Sequence, residues 1–305
     1  MASSDQHASG HPVVHAPAPW TTKSETYWLF LTLKSLPKGI YDALELDLEK
    51  GGDFKGGLGI IIIVRYSDTP VGTYDELMLI PGNFSVPKPQ DGPPKIPKKA
   101  LRICRIYVSQ RTTVYNGRIN WNIPKHLARF SFSAPPTSAG TSPPKTLDVK
   151  VFAPGSQDGD GTSPFFSCTL QPFRWLPSFP FSSRYMPLST VLVQPPLPAA
   201  KGFDSEDSED PEPEKVDPYD LNPRLEGQVL AGTNRWCTFP INAYSPRLRG
   251  CWVTVHAPSK DGEQGAETVE QANKYWAPDA KPWAIGTWME DAEMTIPAPS
   301  LEWKL

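Results

Sequence analysis

No hydrophobic run in this 305-residue chain is long enough to span a bilayer. The longest aliphatic stretch, Ile60-Ile61-Ile62-Ile63-Val64, falls far short of the roughly 20 apolar residues that a membrane helix requires. The first twenty residues hold neither a continuous apolar stretch nor an early positive cluster, so no secretory leader is expected. Charge of one sign is missing as well. Lys and Arg number 30 against 33 for Asp and Glu, a net charge of -3, which excludes the broad positive field of a general nucleic-acid binder. Cysteine is scarce: Cys104, Cys168, Cys237 and Cys251 show neither metal-type spacing nor a dense disulfide framework. They read as buried thiols of a reduced, cytoplasmic protein. His7, His11 and His15 fall four apart, but Pro12, Pro17 and Pro19 oppose the helix that would stack them. No carboxylate or thiol completes that set, so no metal is expected.

What is abundant is proline, 36 residues, or about 12% against a usual level near 5%. Helices cannot run far between prolines, so strands and loops should dominate and a helical bundle is excluded. Residues 1–20 are polar, Ala/Pro-rich and without period, which reads as a disordered tail. Order begins near Ser24, and residues 21–305 read as a single domain. Thr26–Leu33 is aromatic and β-branched, a strand stopped by Pro37-Lys38-Gly39. Ile40–Glu49 suits a short helix, Ile60–Tyr66 a strand buried on both faces, Tyr74–Ile80 a further strand and Leu101–Val108 another. Later candidates are Leu147–Phe152, Phe165–Leu170, Pro187–Val193 and Cys251–His256. The segment 201–217 carries eight acidic and two basic residues, net -6, which leaves the rest of the chain at +3. Such a block cannot bury enough apolar surface to order itself, so about 201–220 reads as a disordered acidic insertion.

Two places in this pattern can carry chemistry. On the strand Tyr74–Ile80, Glu76 shares a face with Tyr74, Met78 and Ile80. A carboxylate in such company needs a raised pKa or a cationic partner, unless the strand lies at a solvent rim. Further on, Lys125 follows Pro124 and is bracketed by Ile123 and Leu127, with Trp121 upstream. Burial would lower the pKa of its ammonium toward neutrality, and a neutral amine is what imine formation with a ketone requires. A lysine that snorkels to the surface would show the same local sequence.

Gly117-Arg118, five residues, then Pro124-Lys125 resembles the G-R-x5-P-K-K segment of the acetoacetate decarboxylases. Asp68-Thr69 followed by Gly72-Thr73-Tyr74-Asp75-Glu76 resembles that family's D-T…G-x-Y-x-E segment, in the same order. The likeness covers residues 24–130, and the Pro-rich, Trp-rich style is similar to the divergent fungal branch of the superfamily, associated with secondary metabolism. It implies a mainly β, α+β fold: an acetoacetate-decarboxylase-like antiparallel cone or barrel sheet around a central pocket, with few short helices. It also implies that Lys125 is a Schiff-base nucleophile and that Glu76 positions substrate or intermediate. Arg118, His126, Tyr74, Trp121 and Arg105 are then candidate substrate-binding residues. His126 stands where the family has a second lysine, and near pH 7 an imidazole is mostly neutral, so burial has to activate Lys125 alone.

The function so implied is that of a lyase acting on a β-keto acid or polyketide-like keto compound, by decarboxylation or a related aldol, dehydration or cyclisation step. No cofactor is called for, and no nucleic acid or membrane partner. A homo-oligomer is compatible with the bacterial relatives. The alternative is a non-catalytic ligand-binding protein, or an imine-free cyclase, on the same fold.

Overall fold

The computed structural model describes residues 13–90, 92–138, 140–186, 189–201, 203, 216–258 and 265–305, the first four of the last span by their backbone alone. Most of the acidic insertion, 204–215, lies outside the described residues, as do His7 and His11. The elements run β1 (Trp20–Thr32), β2 (Phe54–Gly56), β3 (Leu58–Asp68), β4 (Tyr74–Ile80), β5 (Asn83–Ser85), β6 (Lys99–Leu101), β7 (Arg105–Val108) and α1 (Arg111–Trp121). There follow β8 (Lys125–Leu127), β9 (Arg129–Phe132), β10 (Leu147–Phe152), β11 (Phe166–Pro172), β12 (Phe179–Ser182) and β13 (Val191–Gln194). The last are β14 (Trp236–Pro240), β15 (Asn242–His256), α2 (Gly265–Tyr275), β16 (Ile285–Ile296) and β17 (Leu301–Trp303).

An eleven-stranded sheet takes the order β8-β7-β4-β3-β1-β16-β15-β11-β10-β9, with β12 paired to β15. Its first and last strands, β8 and β9, are separated in sequence by Ala128 alone. The two ends of the sheet therefore meet, and the sheet curls into a barrel-like ring. Side chains from opposite arcs touch only inside such a ring. Tyr27, Leu29, Ile61, Ile63, Leu77 and Leu79 from one arc pack with Val149, Val151, Cys168, Leu170 and Val253 from the other, and they fill the interior. The alternate residues Trp28, Ile62, Val64, Met78, Ile106 and Met289 face outward. There they are covered by α1, through Val114 and Trp121, and by Leu192 and Phe239 of a second, six-stranded sheet in the order β17-β14-β13-β6-β5-β2. All four cysteines are buried and free, and burial pushes the thiols of Cys104 and Cys251 up to about 12.

Several elements depart from the sequence reading. Ile40–Leu44 is not helical, and only Leu46–Lys50 forms a short 3-10 turn. The stretch Leu101–Val108 divides between the two sheets, because Lys99–Leu101 pairs with β5 while Arg105–Val108 pairs with β4. Within the segment read as a tail, Ala16 donates its amide to Asn116 Oδ1, and Asn116 donates back to the Val14 carbonyl. The segment ahead of Trp20 is thus tied to α1. The helix itself was not expected from the sequence. Its Gln110 N-cap accepts from the Thr113 amide, and Asn122 closes it in the left-handed conformation at φ 54°. Helix α1 links β7 to β8, which pair in parallel and so need a crossover between them.

Candidate active site

Strand β8 and helix α1 together place Lys125. Ile106, which faces outward, is the register partner of Lys125, whereas Tyr107, which faces inward, is that of His126. Lys125 therefore rises from the outer face of the sheet, under α1, toward β4. Its aliphatic chain passes directly over Gly117: a Cβ there would lie 2.7 Å from Lys125 Cδ and 2.8 Å from Cε. The glycine of the Gly117-Arg118…Pro124-Lys125 motif is thus a clearance for the lysine, one helical residue at which a side chain would force Lys125 to shift.

At the end of that passage the ammonium meets three oxygens. Lys125 Nζ donates to Glu76 Oε2 at 2.9 Å, to Thr113 Oγ1 at 2.8 Å and to Tyr74 Oη at 3.4 Å. Lys125 is 4% exposed and Glu76 2%. Tyr66 donates to the other Glu76 oxygen at 3.3 Å, and its ring lies 4.5 Å from that of Tyr74. Burial alone pulls the Lys125 ammonium down, but the Glu76 carboxylate and the Tyr74 hydroxyl outweigh it and hold the group above the ordinary lysine range. This corrects the expectation of a lowered pKa. The cationic partner foreseen for Glu76 is the lysine itself.

His126 lies on the other side of the strand. Its Nε2 is 2.8 Å from Glu45 Oε2 and its Nδ1 is 3.4 Å from Glu226 Oε1. Burial opposes the imidazolium, yet the two carboxylates push its pKa up to about 10, so it is charged near pH 7 rather than mostly neutral as expected. Burial likewise opposes the Glu45 carboxylate, but His126 and Arg118 draw it down to about 2. Arg118, fully buried, pairs with Glu45 Oε1 at 2.9 Å and donates to the carbonyls of Ala231, Pro198 and Lys125. It anchors α1 to its surroundings, and its guanidinium is committed to those partners.

Of the other residues singled out in the sequence, Tyr74 stands in the Lys125–Glu76 cluster. Arg105 donates to the carbonyls of Tyr41 and Lys274 and to the Tyr107 hydroxyl. Trp121 packs edge-on to Trp20 with centroids 5.2 Å apart and donates to the Pro297 carbonyl. Thr113, Tyr66, Glu45 and Glu226 were missed. Thr113 becomes visible only once a helix is drawn through residues 111–121, and the two glutamates lie far from His126 in sequence.

Among the described residues, Asp42, Glu45 and His126 bring possible metal-ligand atoms within 4.8 Å of one another. Both Glu45 oxygens are already paired, Oε1 with Arg118 and Oε2 with His126, so a cation there would have to displace those partners.

No family model matches the chain, and no curated protein matches it. Solved structures do. An acetoacetate decarboxylase-like enzyme from Sphingomonas wittichii RW1 superimposes with a TM-score of 0.52 at 9% identity, covering 100% of this chain and 99% of that one. The fold is the acetoacetate-decarboxylase-like fold. An acetoacetate decarboxylase from Legionella pneumophila aligns over 94% of this chain and 88% of its own, with a TM-score of 0.43 and 9% identity. The enduracididine biosynthesis enzyme MppR, solved with the condensation product of pyruvate and imidazole 4-carboxaldehyde, aligns over 94% and 89%, with a TM-score of 0.45 and 12% identity. Within this acetoacetate-decarboxylase-like fold, Lys125 sits on the short parallel strand at one end of the ring and Glu76 two strands away, on the same outer face. No helix among the described residues is long and apolar enough to cross a membrane.

Proposed function

We infer that the chain is a lyase that acts on a β-keto acid or polyketide-like keto compound through a Schiff base at Lys125. The observation that carries this reading is the buried contact of 2.9 Å between Lys125 Nζ and Glu76 Oε2. An ammonium cannot attack a carbonyl, and Glu76 is the base within reach. The proton passes from Nζ to the Glu76 carboxylate, and the freed amine adds to the ketone carbon. Loss of water leaves a protonated imine. As the carbon–carbon bond to the carboxylate breaks, its electron pair flows into the imine and carbon dioxide departs. The resulting enamine is protonated at carbon, and hydrolysis of the imine returns the amine. An aldol, dehydration or cyclisation step would use the same imine. Tyr74 and Thr113 hold the nitrogen in place before and after the proton moves.

A specific observation favours the second reading, a ligand-binding protein or imine-free cyclase on this fold. The three acceptors around Lys125 match the three hydrogens of its ammonium, which suits a structural ion pair. Borohydride separates the two. Under the first reading, incubation with β-keto acids followed by reduction labels Lys125 in a peptide mass map, and the label is lost in Lys125→Ala. Absence of label with every keto compound tried, alongside tight ligand binding, would establish the second.

A further inference from the structure

Lys125 and Glu76 sum to zero charge wherever the proton between them sits. Among the described residues, no second cation pairs with or donates to Glu76, Tyr74, Tyr66 or Thr113. The cross-strand neighbours of Glu76 are Val64 and Val108, both fully buried, and Val114 of α1 belongs to the same apolar cluster. The arginines around the site are spent elsewhere. Arg118 pairs with Glu45, and Arg111 donates to the Asp220 and Asn222 carbonyls. Arg105 shares the inward face with Tyr107, to which it donates, opposite to Lys125.

This balance discriminates between an acid and an uncharged substrate. In a β-keto acid the carboxylate is one methylene away from the carbon that bonds Nζ. It would enter a dry cluster beside Glu76, whose Oε2 is 2.9 Å from that nitrogen. Two carboxyl groups and one lysine leave a negative charge without a partner, and an unpaired buried charge is strongly disfavoured. An uncharged ketone keeps the sum at zero. The hydroxyls add a preference for a second carbonyl. The ammonium offers three N–H groups, to Glu76, Thr113 and Tyr74, whereas a protonated imine keeps one. With that one on Glu76, the Tyr74 and Thr113 hydroxyls lose their donor and are free to turn and donate to a neighbouring carbonyl oxygen.

We propose that the substrate at Lys125 is an uncharged β-dicarbonyl or polyketide-like ketone rather than a keto acid, and that its step is an aldol, dehydration or cyclisation. This rests on the reading of Lys125 as the imine-forming residue. The amine adds to one carbonyl, and the hydroxyl so formed leaves as water with the proton that Glu76 took from Nζ. Glu76 is then again a carboxylate. The protonated imine has no carbon dioxide to release, so its α-carbon gives a proton to Glu76 and becomes the nucleophilic end of an enamine.

Pentane-2,4-dione and acetoacetate are the probes, since they differ only by a methyl group in place of a carboxylate oxygen. Each is incubated with the full chain, with and without cyanoborohydride, and adducts at Lys125 are measured by peptide mass mapping. Rates are divided by those obtained with Nα-acetyl-lysine, which removes the difference in intrinsic reactivity. The expected result is labelling of Lys125 at least tenfold faster by the diketone than by the keto acid. In Glu76→Gln, where the fixed carboxylate is gone, that ratio should fall severalfold even as both rates decline. Equal or faster labelling by acetoacetate would overturn the inference and leave the imine reading standing. No label at Lys125 from either probe would remove both. A folded Glu76→Gln variant with an unchanged ratio would also overturn the inference. Should that variant fail to fold, the contrast between the two probes in the unmodified protein still decides.

Discussion

Lys125 and His126 are adjacent in sequence and face opposite sides of the sheet, each held as a cation by its own carboxylates. Lys125 answers to Glu76 on the outer face, and His126 to Glu45 and Glu226 on the other. The two positive charges are therefore separated by the strand and neutralised independently. A cation beside the lysine is present in the chain, but its field is spent on Glu45 and Glu226.

The Lys125–Glu76 pair can be tested through stability. Removing one partner of a buried pair leaves an uncompensated charge, which typically costs about 3–5 kcal/mol. Glu76→Gln and Lys125→Met should each destabilise the protein by roughly that amount in urea at pH 7. The double variant should recover much of the loss. Two single effects that simply add would show that the groups do not form an isolated pair.

The His126–Glu45 pair sets two limbs of the stability–pH profile. The His126 pKa is raised to about 10 from an unfolded value near 6.5. Its contribution is complete below the unfolded value and is lost as pH rises through about 10. Glu45 is lowered to about 2, so its contribution is complete above the ordinary glutamate range and is lost as pH falls through about 2. Denaturation midpoints should decline from neutral toward pH 10, and His126→Asn should flatten that basic decline. A basic limb unchanged in the variant would reject the assignment.

Asp75 carries the opposite sign. Burial pushes its pKa up to about 6, against a smaller lowering by Arg65 across the strand pair. An acid with a raised folded pKa weakens the fold as pH rises from its unfolded value to the folded one, and the penalty is full above that. Asp75→Asn should stabilise the protein at pH 7.5 by up to about 2 kcal/mol, and by much less at pH 4.5. A gain equal at both values would point to packing rather than charge.

Replacing glycine by alanine inside a helix ordinarily stabilises by about 0.5–1 kcal/mol. At Gly117 the new methyl would meet the pinned chain of Lys125, so Gly117→Ala should lower the melting temperature and reduce trapping at Lys125. A stabilised variant that traps normally would show that the lysine can take another path.

Strands were legible in this sequence only in part: β9 (Arg129–Phe132) and the long β16 (Ile285–Ile296) were not read from it. Tyr74–Ile80 and Leu147–Phe152 are read to the residue, because each is a short apolar stretch with turn residues close by. Helix α1 was not legible: Thr112, Thr113 and Val114 are β-branched and Gly117 is a helix-weakening residue, so local propensity points away from a helix that tertiary packing imposes. From the residues alone Lys125 and Glu76 read as two separate oddities, an amine and a carboxylate each placed among apolar residues, and it is the family resemblance that put them in one site. The electrostatic outcome was legible from neither. Whether burial or the partner prevails depends on a distance of 2.9 Å, which no sequence spacing encodes.

Ala128 is the seam at which the two edges of the large sheet are stitched together, and it is a single stitch. With β8 also paired along β7, the backbone of Lys125 three residues away is held in place, so any change of partner at its nitrogen falls to the side chain.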